Sequence, residues 1–170
     1  MPAWEAGPET LALLRELFAW DGKVRQIIFD AVRGLTAEQL SRPVGFGKGS
    51  LLGILLHVYS AQLNWVTRRI WGQARQEVDT ADLADPARLR AAWDDLDRTT
   101  ERTLAELTPQ QLNEVVEAPR TEPGTPPWRA TRAQMLLHAG THAIYHRSQI
   151  RRALKELGRE LPELDYIFFA

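Results

Sequence analysis

Leu136-Leu137-His138-Ala139-Gly140-Thr141-His142-Ala143-Ile144-Tyr145-His146-Arg147-Ser148-Gln149 holds three of the chain's four histidines, and they recur every fourth residue. On an α-helix that interval stacks side chains on one face, about 6 Å apart along the axis. Two imidazoles so placed can meet one cation at about 2.0–2.1 Å each. His138 and His146 stand about 12 Å apart axially, beyond that reach. The spacing therefore allows His138 with His142, or His142 with His146, and leaves one histidine over. The flanks support a helix. Thr131 and Gln134 have capping-box spacing and Gly158 offers a stop, so the predicted helix runs from Thr131 to about Leu157.

Three further helices are expected upstream. Leu11, Leu14, Phe18, Arg25, Ile28 and Val32 step by threes and fours, predicting a helix from about Glu9 to Arg33 with Gly34 as its stop. A second follows the loop Gly45-Phe46-Gly47-Lys48-Gly49. Ser50 is its N-cap and it reaches about Trp71, before Gly72. Its first turns are apolar nearly all round, which predicts burial. A third opens at Asp85-Pro86, and Leu89, Trp93, Leu96, Thr100 and Leu104 mark its inner face. Leu35-Thr36-Ala37-Glu38-Gln39-Leu40 and Leu107-Thr108-Pro109-Gln110-Gln111-Leu112 look alike, and both read as short capped turns. Pro119 to Trp128 has four prolines and one glycine and reads as loop. The apolar tail Tyr166-Ile167-Phe168-Phe169 is expected to pack back on the helices.

The fourth histidine, His57, lies in the second helix within Gly53-Ile54-Leu55-Leu56-His57-Val58-Tyr59. Its neighbours are apolar, and a buried imidazole without a partner is costly. A cation shared with the last helix would supply that partner and make His57 the natural third ligand. Three neutral nitrogens leave coordination positions open, the pattern of a catalytic site. The plainer reading is a core histidine bonded to a backbone carbonyl, with His138 and His146 exposed.

Composition narrows the function classes. At 170 residues the chain fits one domain, 1–170. Its formal net charge of -1 offers no field for nucleic acid or an anionic membrane. There is no cysteine, hence no disulfide and no protein thiolate as nucleophile or ligand. Met1-Pro2-Ala3-Trp4-Glu5 lacks the basic start and apolar run of a secretory signal, so a cytoplasmic location is expected. The longest apolar run, Leu51 to Tyr59, is too short to span a bilayer.

The run His142-Ala143-Ile144-Tyr145-His146-Arg147-Ser148-Gln149-Ile150 resembles the H-x-x-x-H-R-G-Q-type signature of the DinB/YfiT-like family of metal-dependent enzymes. Phe46-Gly47-Lys48-Gly49-Ser50 through His57-Val58, then Trp65, resembles that family's second helix with its single metal histidine. Ser148 departs from the pattern, standing where glycine is usual. The resemblance implies an all-α four-helix bundle with a long crossover between the second and third helices, for which Gly72 to Asp85 is long enough. It implies His57, His142 and His146 as metal ligands, His138 as the spare, and nickel or zinc as the ion. A homodimer acting on a small molecule is implied as well.

Three activities follow from that resemblance. The first is S-transfer, joining a low-molecular-weight thiol of the bacillithiol or mycothiol kind to a small electrophile. The second is hydrolysis by a metal-activated water, which wants a base nearby; no spacing ties Glu77, Glu101 or Glu106 to the histidines, Asp165 would reach them only if the tail folds over the site, and none of the four is singled out. The third is a non-enzymatic, stress-induced metal-binding role. Transfer ranks first by that resemblance, and the physics is coherent with it: a cation favours thiolate, and the chain has no thiol to compete. Arg147 reads as an ion-pair partner inside the bundle. Trp65 and Trp93 read as core, and Trp128 as the wall of a pocket.

Overall fold

The computed structural model describes residues 5–169; the opening Met1–Trp4, part of the signal-peptide reading, lies outside them. Four long helices dominate: α1 (Pro8–Val32), α3 (Leu51–Thr67), α4 (Pro86–Glu106) and α6 (Arg132–Glu156). Each forms where apolar periodicity meets a cap. Ser50 Oγ accepts from Gly53 N–H at 3.0 Å at the start of α3. Asp85 Oδ1 accepts from Arg88 N–H at 2.9 Å at the start of α4. Thr131 and Gln134 close the capping box that opens α6. Such caps satisfy first-turn N–H groups that have no carbonyl partner in the helix. The repeated Thr-x-x-Gln segments form two capped helical turns, α2 (Ala37–Ser41) and α5 (Pro109–Asn113). The second long helix ends earlier than expected, at Thr67, and a 3-10 turn covers Arg69–Trp71.

The long helices pack α1 against α4 and α6, and α3 against the same two. Asp21 meets Arg147 and the Arg33 carbonyl meets Arg159, so α1 and α6 run the same way. Arg15 reaches Leu104 while Arg90 reaches Asp30, so α4 runs opposite to α1. His57 lies by His146 while Trp65 lies by His138, so α3 runs opposite to α6. The segment from Gly72 to Asp85 therefore joins two helices of the same direction.

One core cluster gathers Val24, Ile28 and Phe29 of α1, Leu51 to Val58 of α3 and Leu89 and Trp93 of α4. A second gathers Leu11, Leu14 and Phe18 with Ile70, Leu112, Met135 and Leu136. Between the helices lies a polar knot. Arg25, nearly fully buried, is held by Asp21 and Asp97 at 2.5 Å each. Gln62 donates to Asp97 and Thr100 and accepts from the Trp93 indole at 3.2 Å.

Two expectations need correction. The chain is mostly helical but not all-α: β1 (Val115–Ala118) pairs antiparallel with β2 (Trp128–Thr131), Val115 opposite Thr131 and Ala118 opposite Trp128. The strands are too short to print an alternation, and the prolines crowd into the connection between them, where the loop reading holds up to Pro127. The tail packs back only in part. Leu161 and Leu164 are buried and Tyr166 stands edge-on to Trp20 at 5.7 Å. Ile167 and Phe168 remain 73% and 66% exposed. No helix is long and apolar enough to cross a membrane among the described residues.

Candidate metal centre

His57 comes from α3 and His142 and His146 from adjacent turns of α6. One ring nitrogen from each lies within 4.8 Å of those of the other two, and this is a set that could hold a metal ion. His57 Nε2 faces His142 Nε2 at 3.1 Å. Two nitrogens bound to one cation at about 2.1 Å sit roughly 3.0–3.4 Å apart, depending on the angle at the ion. The observed separation falls in that interval. A hydrogen bond is the other way to hold two ring nitrogens so close, and it occupies only one lone pair.

His146 is buried, and its Nδ1 lies 2.8 Å from Gln149 Oε1. The amide oxygen only accepts, so Nδ1 is the donor in this contact and Nε2 is the nitrogen left for a cation. His142 Nδ1 is buried with no partner at all. Burial lowers the pKa of His57 to about 4, assisted by Lys48, His146 and Arg75. Burial lowers that of His142 to about 4 as well, assisted first by the neighbouring histidines. Both are therefore neutral near pH 7, the state in which an imidazole can ligate. This donor set fits a borderline divalent ion.

The loop before α3 supports the cluster. Gly47 has φ +60°, and a Cβ there would sit 2.8 Å from Gln149 Oε1 and 3.2 Å from the Ile54 side chain. Only glycine combines that dihedral with so close an approach to the residue that orients His146.

His138, the spare histidine of the α6 series, does not join the other three. Its ring packs edge-on to Trp65 at 4.6 Å, and burial together with Arg69 lowers its pKa. Arg147 makes the expected internal ion pair, to Asp21 at 2.9 Å, and lies over Trp20. Ser148 is exposed and donates to the Tyr145 carbonyl, so no close packing here demands glycine.

A cleft of about 150 Å³ opens beside His57 and His142, lined also by Ser60, Asn64, Trp65, Arg69 and Arg75. Its wall is Trp65, not Trp128, which stands behind Trp65 at 5.5 Å between ring centres. Trp65 is accordingly half-buried, whereas Trp93 is core as expected. None of Glu77, Glu101, Glu106 and Asp165 lines the cleft. Glu77 is drawn to Arg75, Glu101 faces the groove between α1 and α4, and Asp165 bears on Arg147. That groove is larger, about 740 Å³, but holds no histidine.

Gln149, Lys48, Arg69 and Arg75 had no role assigned from sequence. The interval from His146 to Gln149 is a usable signal, because residues three apart on a helix are neighbours. Nothing in sequence tied the two arginines to the histidines.

No curated protein matches the chain. The family model described as DinB family matches residues 9–170. With that match running from the first turn of α1 to the last residue, this chain with its three clustered histidines belongs to the DinB family.

Proposed function

We propose that the chain is a metal-dependent transferase that joins a small thiol to a small electrophile, built as a four-helix bundle with Gly72–Asp85 as its long crossover. His57, His142 and His146 would hold a divalent ion, nickel or zinc best suiting three imidazoles. When bound, such an ion lowers the proton affinity of an incoming thiol, so that more thiolate exists at neutral pH.

The observation that carries this reading is the character of the cleft beside His57 and His142: cationic, and without a carboxylate among its described lining residues. Hydrolysis needs a base within reach of the attacking water. S-transfer needs no such base once the thiol is ionised. The chain's own residues favour the anionic sulfur. Lys48 and Arg75 both act on His57, so the local potential is positive. Gln149 keeps the His146 ring oriented, and burial keeps His57 and His142 unprotonated. With no cysteine, the chain offers no internal competitor for ion or electrophile.

Incubation of the zinc- or nickel-loaded protein with a low-molecular-weight thiol and monochlorobimane tests this. Thiol-dependent turnover is expected, falling by roughly 100-fold or more in His142→Ala. Turnover of esters or lactones without thiol would instead establish the hydrolase reading. Tight metal retention with neither activity would establish the binding role.

A further inference from the structure

Arg69 and Arg75 are the charged side chains that line the histidine cleft, and no carboxylate lines it with them. Arg69 Nε is sealed from solvent with no hydrogen-bond partner. Its guanidinium lies 4.4 Å from the centre of the Trp65 ring. Burial, then repulsion from Arg75 and Arg120, lowers its pKa below that of an ordinary arginine. Arg75 has only a loose 3.6 Å contact to Glu77, whose side chain is largely exposed.

Both arginines are nonetheless held in place. The Asn64 amide donates to the Gln76 carbonyl at 3.1 Å and accepts from Gln76 N–H at 2.7 Å. Arg68 Nε donates to the Ala74 carbonyl at 2.7 Å. These bonds pin the backbone on either side of Arg75 to the end of α3. The Trp65 face sets the plane of the Arg69 guanidinium. Two held cations whose carboxylate neighbours, Glu77 and Glu122, compensate them only weakly are unfavourable in a partly desolvated cleft, and the cost is relieved when an anion binds. A planar guanidinium matches a carboxylate through paired N–H donors. At roughly 30 Å³ per water, the cleft has room for about five water molecules, the scale of a short organic acid.

We infer that this cleft is a binding subsite for a small organic carboxylate, anchored by Arg69 and Arg75 beside the Trp65 ring with its far end turned to His57 and His142. The orientation of the ligand rests on the cation-site reading above, whereas its anchoring by arginine does not. The electrophile that the histidine centre receives would then be a short carboxylic acid.

Calorimetric titration of the full chain with succinate, in the metal-free and zinc-loaded forms, tests this. One succinate per chain is expected, with neutral succinamide binding at least about ten-fold more weakly. Arg69→Gln and Arg75→Gln should each weaken succinate by about ten-fold or more, Arg69→Lys should keep part of the affinity, and all three should still bind one zinc per chain. Arg75→Gln decides the matter should Arg69→Gln fail to fold, since Arg75 is exposed and lies outside any helix or strand. Succinamide binding as well as succinate, unchanged affinity in Arg75→Gln, or inorganic phosphate binding more tightly than succinate would overturn the assignment. Zinc bound without succinate removes the anion subsite alone. Succinate bound without zinc removes the cation reading and leaves the arginine anchor standing.

Discussion

At His146 the side chain that matters most is one that touches no candidate ligand atom. Gln149 accepts from Nδ1 and so leaves Nε2 as the nitrogen that could share a cation with His57 and His142. Gln149→Leu keeps the size and loses the acceptor; metal affinity should drop by roughly 10- to 100-fold, measured by competition with a chelating dye. His57→Ala should abolish stoichiometric binding, and His138→Ala should leave one ion per chain, because His138 is engaged with Trp65. An unchanged affinity in His57→Ala would dissolve the proposed centre. Proton competition gives an independent check. In the unfolded chain these histidines take up protons below about pH 6.5, but in the fold His57 and His142 resist until about 4. Between those values the unfolded state binds more protons, so stability rises with pH. The metal-free protein should therefore be most stable above about pH 6.5 and lose stability steadily down to about 4, as read from denaturant midpoints. Metal should stay bound at about pH 5.5, where ordinary imidazoles are mostly charged; release centred near 6.5 would contradict the burial argument.

The site depends on how α3 begins. Gly53 sits in its first turn, and a Cβ there would run into the Lys48 carbonyl oxygen and crowd Ser50 Oγ at 3.2 Å. The obstacle is backbone, so the glycine loop would have to move. Gly140 in α6 offers a contrast, since a Cβ there meets Leu17 Cδ2 at 2.5 Å, the far end of a flexible side chain. Gly53→Ala should cost about 1–3 kcal/mol and loosen metal binding, while Gly140→Ala should cost less and leave the metal untouched. Chemical denaturation of both variants, with a metal titration on each, separates them. Ser50→Ala removes the cap on the same turn and should cost about 1 kcal/mol.

Across the whole molecule, Arg25 ties α1 to α4 while Asp21 carries the link on to Arg147 in α6. Arg25→Met would leave Asp97 without its ion-pair partner and strip one of two from Asp21. Breaking such a buried pair from one side should destabilise the fold by about 3–5 kcal/mol, seen as a lower urea midpoint. A loss below about 1 kcal/mol would mean that the knot is not holding the helices together.

How much of this was legible beforehand follows from the range of each interaction. The four long helices and two short capped turns could be read because apolar steps of three and four, caps and stop glycines all act within a turn or two of chain. The four-residue spacing of the histidines in α6 was legible for the same reason, and it fitted His138 with His142 as well as His142 with His146. Which of the two pairs joins His57 depends on how α3 lies against α6, which spacing along one helix cannot express. Resemblance to a family supplied that choice, and the packing of the two helices brings the three rings together.

The sequence by itself thus determined the helices, their caps and one face of paired histidines, since these follow from a periodic backbone and neighbouring side chains. Only the tertiary structure decided the small sheet, the exposed end of the tail, Trp65 in place of Trp128 at the cleft, and the two arginines beside the histidines. Each of those depends on contacts between segments far apart in the chain. Such contacts form by loop closure and the burial of shared surface, and neither leaves a mark in a short window of residues.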